Sequence, residues 1–551
     1  MEHTADVDTM TLDQRIGQLL IAGFHGASVS PEIAELITRR HIGGVILFSR
    51  NIREPRQVMS LIASLQGLAK DAGHPAPLLI AVDQENGVVR RFGQGVTVFP
   101  GAMAIAATGS VELAYQVTLA TGRELRALGV NMNLAPVLDV NNNPANPVIG
   151  VRSFGEDPRE VARFGVAAIR GYRDAGVISC AKHFPGHGDT IADSHLSLPV
   201  IPHTLERLDA VELAPFKAAI ESDVDSVMMG HPAFPQLMGS TLEPATISPR
   251  IVRELLRTRM GYEGVVTTDD MEMRAITNTV GTARGVALAL RAGCDVALVS
   301  HHYDEQARSL DAVRAAVASG ELPEERVRQS AERVLRLKAL RTSWGDLRDG
   351  NPPAWVGGEE HQRLAERCYE RAVTLVRDDR GLLPLSLSPQ RRALVLYPAR
   401  ESLTGVEDNR FPEDFLAASI RRRHANTDAI AISLRPEAEE REQVAQQAAA
   451  GDVVIVAAVN ANLFTEQAAL VRRLLQEGRE VIGIAVRNPY DLLVVPELPI
   501  YLATYEYTPG ALEAAAKALF GEIAPHGRLP VSLPGLYRRG WSANEARRRI
   551  P

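Results

Sequence analysis

The sequence predicts an α/β protein in which a (β/α)₈ barrel precedes a smaller α/β sandwich domain. Three observations carry this expectation. Eight short apolar runs alternate with helical patterns as far as about residue 300, and each run is continuously rather than alternately apolar. Past a segment without periodicity, a second and shorter series of such runs begins. Continuous apolar character marks strands buried on both faces, and helices between them imply parallel strands with right-handed crossovers. Eight such units are what a TIM-type barrel requires, with a doubly wound sheet as the weaker alternative.

In order, the candidate strands are GQLLIAGF (17–24), GGVILFS (43–49), PLLIAVDQE (77–85) and GVNMNLAPVLDV (129–140). They continue with GVISCAKHF (176–184), SVMMGHP (226–232), GVVTTDD (264–270) and DVALVS (295–300). Helical patterns such as DPREVARFGVAAIRGYRDAG lie between them, and LPEERVRQSAERVLRLKALR closes the series. This gives a barrel domain over 1–341 and an interdomain linker over 342–358, where TSWGDLRDGNPPAWVGG is rich in Gly, Pro and Trp. The second domain, 359–551, is read from RALVLYPA, DAIAISL, DVVIVAAV, EVIGIAV and IYLATY.

Composition excludes several classes. At 551 residues the chain exceeds the roughly 250–300 that one core usually supports. A 45% apolar and 23% charged content is that of a globular protein, and no run approaches the roughly 18 apolar residues of a membrane helix. The acidic start MEHTADVDTM lacks the basic and apolar regions of a signal peptide, so a cytoplasmic chain without membrane insertion is expected. Three cysteines, Cys180, Cys294 and Cys368, are too few for a disulfide framework. A net charge of −7 gives no reason to expect nucleic acid as a partner.

Barrel enzymes carry their chemistry at the C-terminal ends of the strands. Those ends hold Asp83 and Glu85, Asp139, Lys182 and His183, His231, then Asp269 and Asp270. Charges that are partly buried are costly unless paired, so ionisable groups at so many strand ends point to a site rather than to scaffold. The densest stretch is CAKHFPGHGDTIADSH, 180–195. Its residues allow a metal site built on His183, His187, His195, Asp189 and Asp193, an acid/base site, or a solvated loop. A zinc-dependent barrel hydrolase usually shows a His-x-His pair leaving the first strand, whereas this chain offers only His25 there. Asp193 and His195, two residues apart, have the spacing at which a carboxylate orients an imidazole able to give and take a proton near neutrality.

KHFPGHGDTIADSH resembles the signature of the β-N-acetylglucosaminidases of glycoside hydrolase family 3. Other stretches resemble that family in the same order: GGVILFSRNI, AVDQENGVVRRF, NLAPVLDVNNNPANPVIGVRSFGEDP, GVVTTDDMEM and, near the end, GRLPVSLP. The resemblance implies that Asp269 is the catalytic nucleophile and that Asp193 with His195 is the acid/base dyad. It also implies that Asp83, Arg91, Arg152, Lys182 and His183 hold the hydroxyls of a terminal sugar. Charged and bidentate partners suit a polyhydroxylated ligand, and a retaining glycosidase needs one group to attack the anomeric carbon and another to protonate the leaving oxygen. The implied activity is release of N-acetylglucosamine from the non-reducing end of a peptidoglycan fragment, such as a muropeptide-type disaccharide, with no metal or organic cofactor.

Alternatives of the same resemblance are a phosphorylase or a β-glucosidase. A sugar-binding protein without catalysis would lack the nucleophile or the dyad, and all three residues are present. Where the family commonly reads DQEGGRV, this chain reads DQENGVV, with Asn86 for a glycine and Val88 for an arginine. Some two-domain relatives are exported, and no export signal is read here.

Overall fold

A computed structural model describes residues 7–348, 350–399, 407 and 414–544. The first six residues of the acidic start lie outside that range. Eight parallel strands close a barrel: β1 (Leu20–Ala22), β2 (Gly44–Leu47), β3 (Leu79–Val82), β4 (Met132–Asn133), β5 (Ile178–Phe184), β6 (Ser226–Met229), β7 (Val265–Asp270) and β8 (Val296–Val299). Closure is made by β1 on β8, with Ile21 opposite Leu298. Every strand is shorter than the apolar run that predicts it, because apolar character reports burial and not ladder hydrogen bonds. The fourth run is the extreme case. Pro136 has no N–H to give to a ladder, and beyond β4 the chain stays beside β5 through single backbone bonds, Cys180 N–H to Ala135 O at 2.8 Å and a bridge between Val137 and Lys182, rather than through a continued strand.

The helices follow from local chemistry. Pro158–Asp174 begins where Asp157 accepts the Arg159 and Glu160 N–H groups and proline occupies the first turn. Its Val161, Phe164, Ala168, Ile169 and Tyr172 form one buried face, as the 3.6-residue period dictates.

The N-terminal face of the barrel is held by charge. Asp295, fully buried just before β8, pairs with Arg257, with Arg326 at 3.0 Å and with Arg333 at 3.4 Å, and accepts Ser330 Oγ at 2.9 Å and Val266 N–H at 3.0 Å. Burial opposes its ionisation, but the three guanidiniums outweigh that and lower its pKa. Removing one partner of a buried charge set leaves the others uncompensated. Asp295→Ala is therefore expected to cost about 3–5 kcal/mol, read as a fall in the urea midpoint; an unchanged midpoint would contradict this role.

The second domain is a six-stranded sheet in the order β11-β10-β12-β13-β14-β9. Its strands are β9 (Thr374–Asp378), β10 (Ala393–Pro398), β11 (Thr427–Ile432), β12 (Val453–Ala458), β13 (Val481–Ala485) and β14 (Ile500–Ala503). Five match predicted runs. The sixth, β9, is the antiparallel edge strand on β14; at five residues, with Arg377 inside it, it gives too short an apolar signal to separate from the helix before it.

Two apolar clusters run across both domains. One joins Phe99, Phe154 and Phe164 to Tyr369, Ile455 and Leu512. The other joins Val88, Met103 and Val151 to Tyr490, Tyr505 and Leu529. Of the predicted linker, Gly357 N–H donates to Glu124 at 3.0 Å and Arg126 pairs with Asp346 at 2.5 Å, so this stretch is strapped to the barrel.

Candidate active site

A pocket of about 520 Å³ opens at the C-terminal ends of the barrel strands, within the size range of small-molecule sites. Ile46, Leu134, Met228 and Leu298, all buried, form its apolar floor. Seven of the eight predicted site residues line it: Asp83, Arg91, Arg152, Lys182, His183, His195 and Asp269. The eighth, Asp193, stands behind His195, with Oδ1 at 2.7 Å from His195 Nδ1 and 2.9 Å from its backbone N.

One wall is an ionic lattice around β3 and β5. Lys182, 2% exposed, sends Nζ to Asp83 at 2.8 Å and to Glu85 at 2.7 Å. Arg152 holds Glu85 in a bidentate pair at 2.8 and 2.9 Å, and Arg91 lies 3.7 Å from Asp83. His183 Nδ1 is 2.7 Å from Asp139, so Nδ1 carries the proton, and Nε2 lies 3.4 Å from Arg152. Burial disfavours charge on Glu85, Asp139 and Lys182, yet their partners dominate: the two carboxyls are shifted down and the ammonium up. Three carboxylates (Asp83, Glu85, Asp139) thus face three cations (Arg91, Arg152, Lys182). A neutral polyhydroxylated ligand meets oriented donors and acceptors without net charge.

The same pocket holds the proton-transfer and nucleophile candidates. His195 is 29% exposed on its side chain and so can reach a ligand. Its Nδ1–H is held by Asp193, which leaves Nε2 to exchange a proton. Burial works against the imidazolium, but Asp193 and Asp269 outweigh it and raise the His195 pKa above 6.5. Asp269 accepts the Asp270 N–H at 2.8 Å through one oxygen; the other has no protein partner among the described residues. Burial opposes its ionisation, whereas His183, His231 and His195 bring its pKa down to about 2.

Adjacent residues on a strand normally face opposite ways, so only one of Asp269 and Asp270 is expected at the pocket, yet both line it. The register of β7 on β8 slips between Thr267 and Asp270, which interrupts the alternation. Their partners separate the two instead: Asp270 lies 3.1 Å from His301, accepts Glu272 N–H at 3.2 Å, and gives its carbonyl to His231 Nε2 at 3.0 Å.

The metal ligand set allowed by the motif does not assemble. His183, His187 and His195 turn to Asp139, to Thr190 and Ser194, and to Asp193 respectively. The one group of side chains with metal-ligand geometry among the described residues is Asp189, His203 and Glu212. Arg207 already supplies positive charge there, 2.6 Å from Glu212 and 3.8 Å from Asp189.

Several lining or supporting residues escape assignment from sequence. Glu85 and Asp139 sit at strand ends but serve the site by fixing Lys182, Arg152 and His183. Arg50 lies at the end of the quoted run GGVILFSRNI and lines the pocket, donating to Phe24 O at 2.8 Å and Ser300 O at 2.6 Å. Glu407, 3.3 Å from Arg487, brings the second domain to the same pocket. No local pattern marks it.

The departures in DQENGVV have a structural reason. Asn86 has φ +72°, a left-handed conformation that glycine adopts freely and asparagine tolerates, and its amide donates to Thr121 at 3.0 Å. Gly87 must stay glycine, since a Cβ there would stand 2.7 Å from Gly101 Cα. Val88 is 5% exposed within the cluster that spans both domains. Val88→Arg would bury an unpaired charge at this junction and is expected to cost about 3 kcal/mol or more. The check is its urea midpoint, where a value equal to the parent's would contradict the role.

A closed barrel whose rim combines an ionised carboxylate, a carboxylate-held imidazole and a charge-balanced lattice suits the chemistry of a glycoside hydrolase, and similarity to known proteins places the chain in that class. Residues 11–337 match the glycosyl hydrolase family 3 N-terminal domain, and the chain belongs to that family. It is 32% identical to beta-hexosaminidase A of Pseudoalteromonas piscicida over 96% of this chain and 98% of that protein. Among solved structures it resembles a family 3 β-N-acetylglucosaminidase from Paenibacillus sp. FPU-7, at 42% identity and a TM-score of 0.89, covering 95% of this chain and 99% of the other. It also resembles a fungal multi-domain family 3 β-N-acetylglucosaminidase at 44% identity and a TM-score of 0.90. The match covers 96% of this chain but only 62% of that longer protein.

Proposed function

We propose that this enzyme is an exo-acting, retaining β-N-acetylglucosaminidase that releases N-acetylglucosamine from the non-reducing end of peptidoglycan fragments. The observation that carries the reading is an ionised Asp269 with one unengaged oxygen in the same pocket as the His195–Asp193 pair. Asp269 attacks the anomeric carbon while His195 gives its Nε2 proton to the departing glycosidic oxygen. The resulting glycosyl-enzyme is opened when His195, now neutral, takes a proton from the incoming water and Asp269 leaves. Asp83, Arg91, Arg152, Lys182 and His183 hold the hydroxyls of the terminal sugar, supported by the charged lattice that fixes their orientation. The β-hexosaminidase and β-N-acetylglucosaminidase relatives support the N-acetylhexosamine preference.

A cytoplasmic location accords with three buried cysteines that are all unpaired, and recovery of the native protein outside the cytoplasmic fraction would contradict it. Among the described residues no helix is long and apolar enough to cross a membrane.

The reaction is tested by release of 4-nitrophenol from its β-N-acetylglucosaminide and its β-glucoside, each with and without inorganic phosphate. A strong preference for the former, with free N-acetylglucosamine at similar rates in both buffers, is expected. Preference for the glucoside, or a sugar 1-phosphate as main product when phosphate is present, would overturn the reading.

A further inference from the structure

The stretch between β4 and the helix Pro158–Asp174 lies between two partners. On one side is the loop that carries Asp193 and His195. Asn146, 1% exposed, donates through Nδ2 to the carbonyls of His187 and Gly188, both at 2.9 Å, and its Oδ1 accepts the N–H groups of Val148 and Ile149 at 2.9 and 2.8 Å. Asn143 donates to Asp189 at 3.1 Å. His187 continues the chain, with Nδ1 3.1 Å from Thr190 Oγ1 and Nε2 3.2 Å from Ser194 Oγ, between the two dyad residues.

On the other side is the second domain. Tyr490, 1% exposed, accepts Asn141 Nδ2 on its hydroxyl at 3.0 Å, and Asn462 Nδ2 donates to Pro144 O at 2.8 Å. At Gly150, φ +45°, a Cβ would overlap the Asn488 side chain, so that side chain of the second domain packs directly on the Gly150 backbone. Residues 185–199 form neither helix nor strand. Their conformation is not set by ladder bonds; local turns, a bond from Ala275 N–H to Ser194 O at 3.3 Å and side-chain hydrogen bonds from neighbours hold it instead.

We propose that the second domain positions the proton-transfer dyad: Asn462 and Tyr490 hold the segment 141–150, and that segment constrains the loop leading into Asp193 and His195 through Asn146 on the loop's backbone and Asn143 on the Asp189 side chain. This rests on the reading of His195 as the acid. Asn462 and Tyr490 touch no reacting atom and are positioning residues. Misplacing a proton donor weakens the step that needs the proton and spares a leaving group that departs without one.

The test measures kcat/KM, which reports the steps through glycosylation, for the 2,4-dinitrophenyl and phenyl β-N-acetylglucosaminides with the full-length chain. In Asn462→Ala, and in Tyr490→Phe, which removes a single hydroxyl, the phenyl glycoside should lose about tenfold and the dinitrophenyl glycoside less than about twofold. Equal losses on both substrates, or no loss in either variant, would overturn the proposal. His195→Ala is the reference. If it shows the graded loss and the second-domain variants do not, positioning by the second domain fails alone; if His195→Ala is itself insensitive to the leaving group, the acid assignment fails and the proposal with it.

Discussion

Asp269→Ala is expected to lower kcat/KM on an aryl β-N-acetylglucosaminide by at least about 10⁴-fold, the scale seen when a covalent nucleophile is removed. The argument is local. Asp269 keeps one oxygen unengaged and is ionised far below neutrality. Asp270, one residue on, has its carboxylate occupied by His301 and the Glu272 N–H. Asp270→Ala should therefore lose about ten- to a hundredfold, through displacement of the β7 end rather than loss of the attacking group. Steady-state kinetics of the two variants decide it: comparable losses, or near-parental activity in Asp269→Ala, would contradict the assignment.

The second large effect belongs to the dyad. Positioned proton transfer contributes about 10²–10⁴-fold, so His195→Ala should lose that much on a phenyl glycoside. Asp193→Ala should lose a similar amount, and the double variant little more, since groups acting as a unit give non-additive losses. Independent multiplicative losses would instead indicate two separate roles.

The same pair fixes a pH dependence. Against the opposing effect of burial, Asp193 and Asp269 raise the His195 pKa above 6.5, so the acid form persists past that value and the basic limb of kcat/KM lies above it. Removing the Asp193 charge should move that limb to lower pH; a limb that stays in place would assign it to another group. Folding follows the same linkage. Asp193 is shifted below 3.8, chiefly by His195 and against its own burial. The stabilisation carried by its ionised form is present above 3.8 and lost as pH falls through the lowered value, whereas that carried by the His195 imidazolium is present below 6.5 and lost as pH rises through the raised one. Both are in force together between 3.8 and 6.5.

Much of the barrel was legible because burial on both faces writes a continuous apolar run, and because a parallel barrel brings strand ends together whatever the loops do. Asp83, Lys182 and His183 could therefore be placed in one pocket without knowing any side-chain geometry. Pairing was not legible. Nothing local says that Glu85 joins Lys182 to Arg152, or that Asp139 orients His183, since those contacts cross from one strand end to another. The slip in β7 hid in the same way, because alternation is a property of an ideal strand and a register shift is decided by the neighbour. Hardest of all was the second domain's share. Val88, unexplained within a barrel alone, becomes intelligible once it is seen in one buried apolar cluster with Tyr490 and Tyr505 of the second domain. Glu407 and Asn462 reach the site or its supports from segments whose composition marks only surface and loop.

The most direct test of the central claim is to treat the enzyme with a 5-fluoro-β-N-acetylglucosaminyl fluoride, digest it and locate the added sugar by mass spectrometry. Fluoride leaves as the bond from the anomeric carbon to the attacking carboxylate forms, and the ring fluorine slows the second step enough for the adduct to accumulate. The account predicts one modified peptide spanning TTDDMEM, with fragment ions placing the sugar on Asp269. A label on Asp270 or on any other residue, or fluoride release without an adduct from fully active enzyme, would contradict it.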